Sequence, residues 1–327
     1  MAIAPLRFGI LGAAQIAPMA LIRPASRLMP ETTVLAVAAR DPERAQRFAT
    51  RHGIPRVHPT YDALVADPDV DAIYNPLPNS HHKEWTIRAL EAGKHVLCEK
   101  PFAANAAEAQ EMADAATRTG KVLVEAFHYR YHPLFARMRA ILDAGELGTI
   151  EHFEINFVIP LLRARDIRWR KDLAGGGLMD TGCYTVSLLR HLAGAEPQVL
   201  RADARWTKGG VDRWMGTDLR FADGRTARLT CGLLAPSFLR ITARVRGSHG
   251  SLWVLNPILP HFYHRLRVVT PAGKRVERVA GEASYDHQLR AFVAAVCQGT
   301  RVPTDPADAV ANMRVIDAIY AAAGRPV

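Results

Sequence analysis

The chain has 327 residues and a formal net charge of +10, with 49% hydrophobic and 23% charged residues. That balance suits a soluble globular protein of two domains and argues against a membrane protein, since no apolar run reaches the ~18 residues that cross a bilayer. Cys98, Cys183, Cys231 and Cys297 stand singly, with no CxxC pair, which argues against a disulfide framework or a zinc domain.

The first 125 residues alternate strand and helix signals. Arg7 to Leu11, Val34 to Ala39, Ala72 to Tyr74, His95 to Cys98 and Lys121 to Ala126 read as strands. Pro42 to His52, Ser80 to Ala92 and Ala106 to Thr119 read as helices, with cap-forming residues before them. This alternation predicts an α/β fold with a doubly wound parallel sheet over residues 1–125. From 126 to 327 the pattern changes. A helix is expected from Pro133 to about Asp143 and a long strand from Gly148 to Val158. Gly175, Gly176 and Gly177 lead into another helix. Between Gln198 and Val279, strand-like runs at Thr217 to Phe221, Ala227 to Cys231, Ile241 to Val245 and Leu266 to Val269 lack intervening helices, so they should pair antiparallel. Helices are expected again at Tyr285 to Cys297 and Pro306 to Ala322.

The positive charge is spread along the chain. Its densest patch sets Arg163, Arg165, Arg168, Arg170 and Lys171 around Asp166, with Trp169 inside. No recognition motif accompanies it, so nucleic acid is not the expected partner. An N-terminus without a basic region and long apolar segment, together with single cysteines, fits the reducing cytoplasm.

Three stretches carry chemistry. After the first strand, Gly12-Ala13-Ala14-Gln15-Ile16-Ala17 is a relaxed GxGxxG loop, whose small residues let backbone amides approach a pyrophosphate. Ala14 departs from that pattern. The second strand ends in Arg40, and Asp41-Pro42-Glu43 reads as a helix cap with proline at the first helical position. Arg40 and Arg44 are then placed for a 2′-phosphate, which favours NADP(H) over NAD(H). In GKHVLCEKP, residues 93–101, an apolar strand delivers Glu99 and Lys100 to its carboxyl end, where open α/β sheets bind ligands. In GGGLMDTGCY, residues 175–184, a helix carries Asp180 and Tyr184 four residues apart, on one face. A phenol can transfer a proton when a nearby ammonium lowers its pKa. Taken alone, a buried tyrosine beside a capping aspartate reads the same way.

Glu125, His128 and His132 have the residue types of a metal site, but Pro133 after His132 disfavours the helical spacing this needs, so no metal is expected. His128, Phe157 and Trp253 are candidate substrate-pocket walls, equally at home in an ordinary core.

Together with PNSHH (78–82), AGKHVLCEKP (92–101) and EAFHYRYHP (125–133), these motifs resemble the glucose–fructose oxidoreductase/inositol dehydrogenase/MocA family along essentially the whole chain. YNPLPN (74–79), DIR (166–168) and Tyr184 point to its NADP-dependent dihydrodiol dehydrogenase and D-xylose 1-dehydrogenase branch. Many members carry histidine where Tyr184 stands. The resemblance implies a Rossmann domain followed by an α/β domain with a large, mostly antiparallel sheet whose open face makes a dimer. It implies a catalytic lysine at Lys100, before a proline whose peptide can be cis. It also implies cofactor contacts at Gly12, Ala14, Ile16, Arg40, Asn75, Leu77, Asn79, His82, Glu99 and Arg130, with Trp169 and Arg170 nearby.

The expected protein is an NADP(H)-dependent oxidoreductase acting on an aldose, a sugar derivative or a cyclic trans-diol, with Lys100, Tyr184 and Asp180 as its catalytic set. The alternatives are a transhydrogenase with retained cofactor, a redox-neutral glycosidase and a non-catalytic NADP-binding regulator.

Overall fold

A computed structural model describes residues 5–235 and 237–324. They fall into two compact units. The first runs to Arg130 and resumes over Tyr285–Val310; the second spans Tyr131–Ser284 and resumes at Ala311.

In the first unit, β1 (Leu6–Leu11) leads through a π-helical turn at Pro18–Ile22 into α1 (Arg23–Arg27), β2 (Thr32–Ala38) and α2 (Pro42–His52). Then come β3 (Arg56–His58), α3 (Tyr61–Val65), β4 (Ala72–Asn75), α4 (His82–Glu91), β5 (His95–Cys98), α5 (Ala106–Thr119) and β6 (Leu123–Glu125). The strands lie in the order β3-β2-β1-β4-β5-β6, all parallel. The order reverses between β1 and β4, so the carboxyl ends of these strands open on the crevice where such sheets bind ligands.

Helices on both faces bury the strands, which is why β1 and β5 are nearly continuous apolar runs. Asp41 caps α2 by accepting from the Glu43 and Arg44 amides at 3.0 and 3.2 Å. Asn105 caps α5 through the Glu108 amide at 2.9 Å. Each cap uses a backbone donor that the helix itself cannot satisfy.

The core of this unit joins Phe8, Ile10, Val37, Tyr74, Leu97 and Val124 to Tyr285, Leu289 and Phe292. The rings of Phe8 and Phe292 lie 5.7 Å apart. A single break near residue 125 would give Tyr285–Val310 to the second domain; this segment instead carries apolar side chains into the first core.

In the second unit, α6 (Pro133–Asp143), β7 (Ile150–Val158) and α7 (Cys183–Ala193) precede seven strands. These are β8 (Gln198–Trp206), β9 (Asp212–Arg220), β10 (Thr226–Gly232), β11 (Arg240–Gly247), β12 (Ser251–Leu255), β13 (Arg265–Thr270) and β14 (Gly273–Glu277). After β14 come α8 (Ser284–Gln298), which belongs to the first unit from Tyr285 on, and α9 (Pro306–Ala322), which rejoins the second at Ala311. The sheet order is β14-β13-β12-β11-β7-β10-β9-β8. β7 and β10 are parallel, and the other pairs are antiparallel, as the helix-free run predicts.

One face of this sheet buries Phe153, Ile155 and Phe157 of β7, and α7, itself buried along almost its whole length, packs against β7 and β10. The other face carries Arg228, Arg240, Arg244, Arg246, Trp253 and Arg267. Some of its charge is met locally: Arg228 pairs with Asp218 at 2.5 Å and Arg240 with Glu154 at 2.8 Å.

Candidate active-site residues

At the end of β1, Gly12 takes φ +85°, a conformation that disfavours a side chain, and a Cβ there would lie 3.2 Å from Leu77. Its amide donates to the Ala38 carbonyl at 2.6 Å, tying the loop to the end of β2. Ala14 and Ile16 follow in that loop, both half-buried. Arg40 is exposed just beyond β2. Arg44 donates from Nη2 to the Ala13 carbonyl at 2.8 Å, which pins it over the loop. Asp41, the carboxylate that follows β2 directly, is engaged as a cap, so the polar groups left to a ribose substituent there are cationic. A 2′-phosphorylated dinucleotide fits these residues.

The turn after β5 is held from several sides. Glu99 accepts from the Tyr74 hydroxyl at 2.7 Å and from the Lys100 amide at 3.3 Å. Its own amide donates to the Asn75 carbonyl at 3.0 Å. Asn75 is fully buried and donates to Thr86 Oγ1 at 3.1 Å. The Lys100–Pro101 peptide is cis. His82 is fully buried, with Nδ1 2.9 Å from the Pro101 carbonyl and Nε2 2.8 Å from the Leu77 carbonyl. Burial drives its pKa down to about 4, and the Lys100 charge adds to the fall. The His82 ring therefore lies between the 77 loop and the lysine turn, and in its neutral form it donates its single N–H to one of these two carbonyls. Asn79 opens the short 3₁₀ turn before α4. Lys100 itself is partly exposed.

Glu125 is fully buried and accepts from the Phe102 amide at 2.9 Å. The buried His128 ring lies 4.0 Å from that of Tyr285. Burial first, then the Glu99 charge, push the Tyr285 phenol up, which removes it as a proton-transfer group near neutrality. Arg130 lies within the 3₁₀ turn His128–Tyr131 of the same segment and is half-buried. His132 caps α6 through the Leu134 amide at 3.0 Å. Among the described residues, no group of three or more His, Cys, Asp or Glu could hold a metal ion.

In the second unit the three glycines have a physical cause. Asp212, fully buried at the start of β9, accepts from the Leu178 amide at 2.7 Å and from the Tyr320 hydroxyl at 2.8 Å. Gly176 has φ +141°, and a Cβ there would fall 2.2 Å from Asp212 Oδ1 and 2.9 Å from Tyr320 Oη. Backbone and carboxylate approach each other through space that a side chain would fill. Gly176→Ala should therefore cost ~3 kcal/mol or more, seen as a lower urea midpoint. Gly194→Ala, with nothing within 4 Å of the added carbon, is the matched control at another positive φ.

Beyond the glycines, Leu178–Gly182 forms a π-helical turn that runs into α7, where the sequence predicts plain α-helix. Thr181 Oγ1 donates to the Gly177 carbonyl at 2.9 Å and accepts from the Gly232 amide at 3.0 Å, which fastens the turn to β10. Asp180 lies in this turn and Tyr184 in the first turn of α7. Tyr184 is 7% exposed, and its ring meets that of Phe157 edge-on at 5.5 Å. Asp180 accepts from Arg168 Nε at 2.9 Å, and Arg168 also binds Asp166 at 3.1 Å. The Asp180 charge raises the Arg168 pKa.

The basic patch is thus partly an internal clamp. Trp169 ends the 3₁₀ turn that Asp166 caps, and Arg170 is exposed and paired with Asp172. Phe157 stands with Tyr184. The register sets Trp253 opposite Arg244 and Arg267, on the sheet face away from Phe157, with the Arg267 guanidinium 5.3 Å from its ring. Strand alternation carries Trp253 there, so it does not wall the Tyr184 side. Sequence alone assigns no role to Arg168 or Asp212, one set within a dense basic patch and the other at a strand start read five residues late.

Residues 6–127 match a family model described as an oxidoreductase family, NAD-binding Rossmann fold, and residues 135–253 match the GFO/IDH/MocA C-terminal domain. An NADP⁺-dependent D-xylose 1-dehydrogenase of Haloferax volcanii is 38% identical over 322 residues, covering 97% of each chain. A trans-1,2-dihydrobenzene-1,2-diol dehydrogenase of Sus scrofa is 35% identical over 256 residues, covering 77% of this chain and 75% of that one. Among solved structures, a 3-ketoreductase from Actinomadura kijaniata in complex with NADP and TDP-benzene superposes with a TM-score of 0.91 at 31% identity, over 97% of this chain and 98% of that one. Solved variants of that enzyme replace a tyrosine by phenylalanine and a lysine by alanine or glutamate.

Proposed function

Because the chain belongs to the GFO/IDH/MocA family of oxidoreductases, we propose that it is an NADP(H)-dependent dehydrogenase or reductase acting on a CH–OH or C=O group. Its substrate class is an aldose, a sugar derivative or a cyclic trans-diol. The observation that carries the chemistry is the pair Lys100 and Tyr184. In the Actinomadura enzyme the replaced lysine and tyrosine stand as many positions apart as these two do. The observation that supports NADP(H) is the cationic end of β2, where Arg40 and Arg44 stand and Asp41 serves as a cap.

When bound, the nicotinamide accepts or supplies the hydride. In the oxidation direction Tyr184 takes the proton of the substrate hydroxyl. Lys100 hydrogen-bonds the same oxygen and favours the phenolate by its charge. Asp180, held by Arg168, orients substrate or tyrosine. Gly12, Ala14, Ile16, Asn75, Leu77, Asn79, His82, Glu99 and Arg130 form or support the dinucleotide site, with Trp169 and Arg170 at its margin. His128 and Phe157 line the substrate's surroundings. We assign the protein to the cytoplasm and its uncovered sheet face to a homodimer contact, with nucleic acid and membranes outside its partners.

The test is to purify the protein, read its absorbance for bound nicotinamide, and offer D-xylose, other aldoses and trans-diols with NADP⁺ and with NAD⁺. NADPH formation with at least one of them, faster than NADH formation, is expected. An NAD⁺ preference would overturn the Arg40 assignment, and hydrolysis of glycosides without net reduction would replace the dehydrogenase by a redox-neutral enzyme.

A further inference from the structure

We infer that Tyr61 is a third 2′-phosphate-recognising side chain, donating its phenolic hydrogen bond beside Arg40 and Arg44 and so setting cofactor preference. This rests on the NADP(H) reading above and adds a residue to it. Tyr61 opens α3, in a stretch that the strand and helix signals of the sequence leave unassigned. Its hydroxyl oxygen lies 3.7 Å from the point where a Cβ on Gly12 would stand, so it reaches the glycine of the phosphate loop. That same glycine is tied to the end of β2 by its 2.6 Å bond to the Ala38 carbonyl. The phenol therefore sits where the β1 and β2 loops converge, the place where a dinucleotide's adenosine ribose lies in such a sheet.

The surroundings suit an anion. Arg44 is fixed to the Ala13 carbonyl at 2.8 Å, one residue beyond Gly12. The charges acting on the phenol are those of Arg40 and Arg44, and the Arg40 backbone donates a hydrogen bond toward its oxygen. Burial outweighs these and keeps the phenol protonated, so the group offered to a phosphate is a donor. The ring is braced edge-on against Trp85 at 5.0 Å, and Arg88 stacks on Trp85 at 4.8 Å. A donor held by such packing loses little freedom on binding.

The experiment measures dissociation constants of NADP⁺, NAD⁺ and 2′,5′-ADP by titration calorimetry for the unaltered protein and for Tyr61→Phe. The expected result is about a tenfold weakening toward NADP⁺ and 2′,5′-ADP, the scale of one hydrogen bond to a charged group, with NAD⁺ affinity unchanged. Unchanged NAD⁺ binding also shows that the variant is folded. Equal weakening toward both dinucleotides, or no change toward either, would overturn the inference and leave Tyr61 a packing residue. Lack of NADP⁺ preference in the unaltered protein would instead remove the reading on which it rests, and the inference with it.

Discussion

Tyr184→Phe is expected to lower kcat about 10²–10⁴-fold, the range that a positioned proton-transfer group supplies, provided chemistry limits the rate. The substitution removes one oxygen and keeps the ring, so the edge-on contact with Phe157 survives. The dissociation constant of NADP⁺ should stay within about twofold, and the far-ultraviolet circular dichroism should not change. A variant with full turnover would remove Tyr184 from the chemistry.

Lys100→Met should also cost at least about 10²-fold in kcat, and it should move the pH profile in a definite direction. A cation beside a phenol favours the phenolate. Removing it raises the pH at which the phenol loses its proton, so the rising limb of the oxidation rate should shift to higher pH. Methionine keeps the length of the side chain, while Glu99 retains its bond from Tyr74 and His82 its place against the Pro101 carbonyl. An unshifted limb with lowered kcat would leave Lys100 a role in binding but not in tuning the proton acceptor.

The first unit was largely legible because its strands are buried on both faces and therefore write themselves as apolar runs. β5, and Lys100 just beyond its end, are legible in this way. β3 was not: Arg56, Val57 and His58 are half-buried at a sheet edge and show no period. In the second unit β11 and β13 were visible through their alternation, but β12 has an aromatic residue on its uncovered face, and β14 has one apolar residue in five. The phosphate loop, the EKP turn and the triple glycine were legible because each needs unusual residues in a short span. Asp212 and Arg168 were not, since they meet Leu178 and Asp180 only after the chain has folded, and their local sequence looks like turn and surface. The same limit applied to Tyr285–Val310, whose periodicity shows a helix but not which core it joins.

That returning segment constrains the order in which the protein is made. Domains commonly fold as they leave the ribosome, N-terminal part first. Here the first 130 residues emerge carrying a parallel sheet whose apolar partners, Leu289 and Phe292, have yet to be synthesised. The whole of β7 to β14 is translated before Phe292 can meet Phe8. The first unit can thus complete its core only once Tyr285–Val310 has been made.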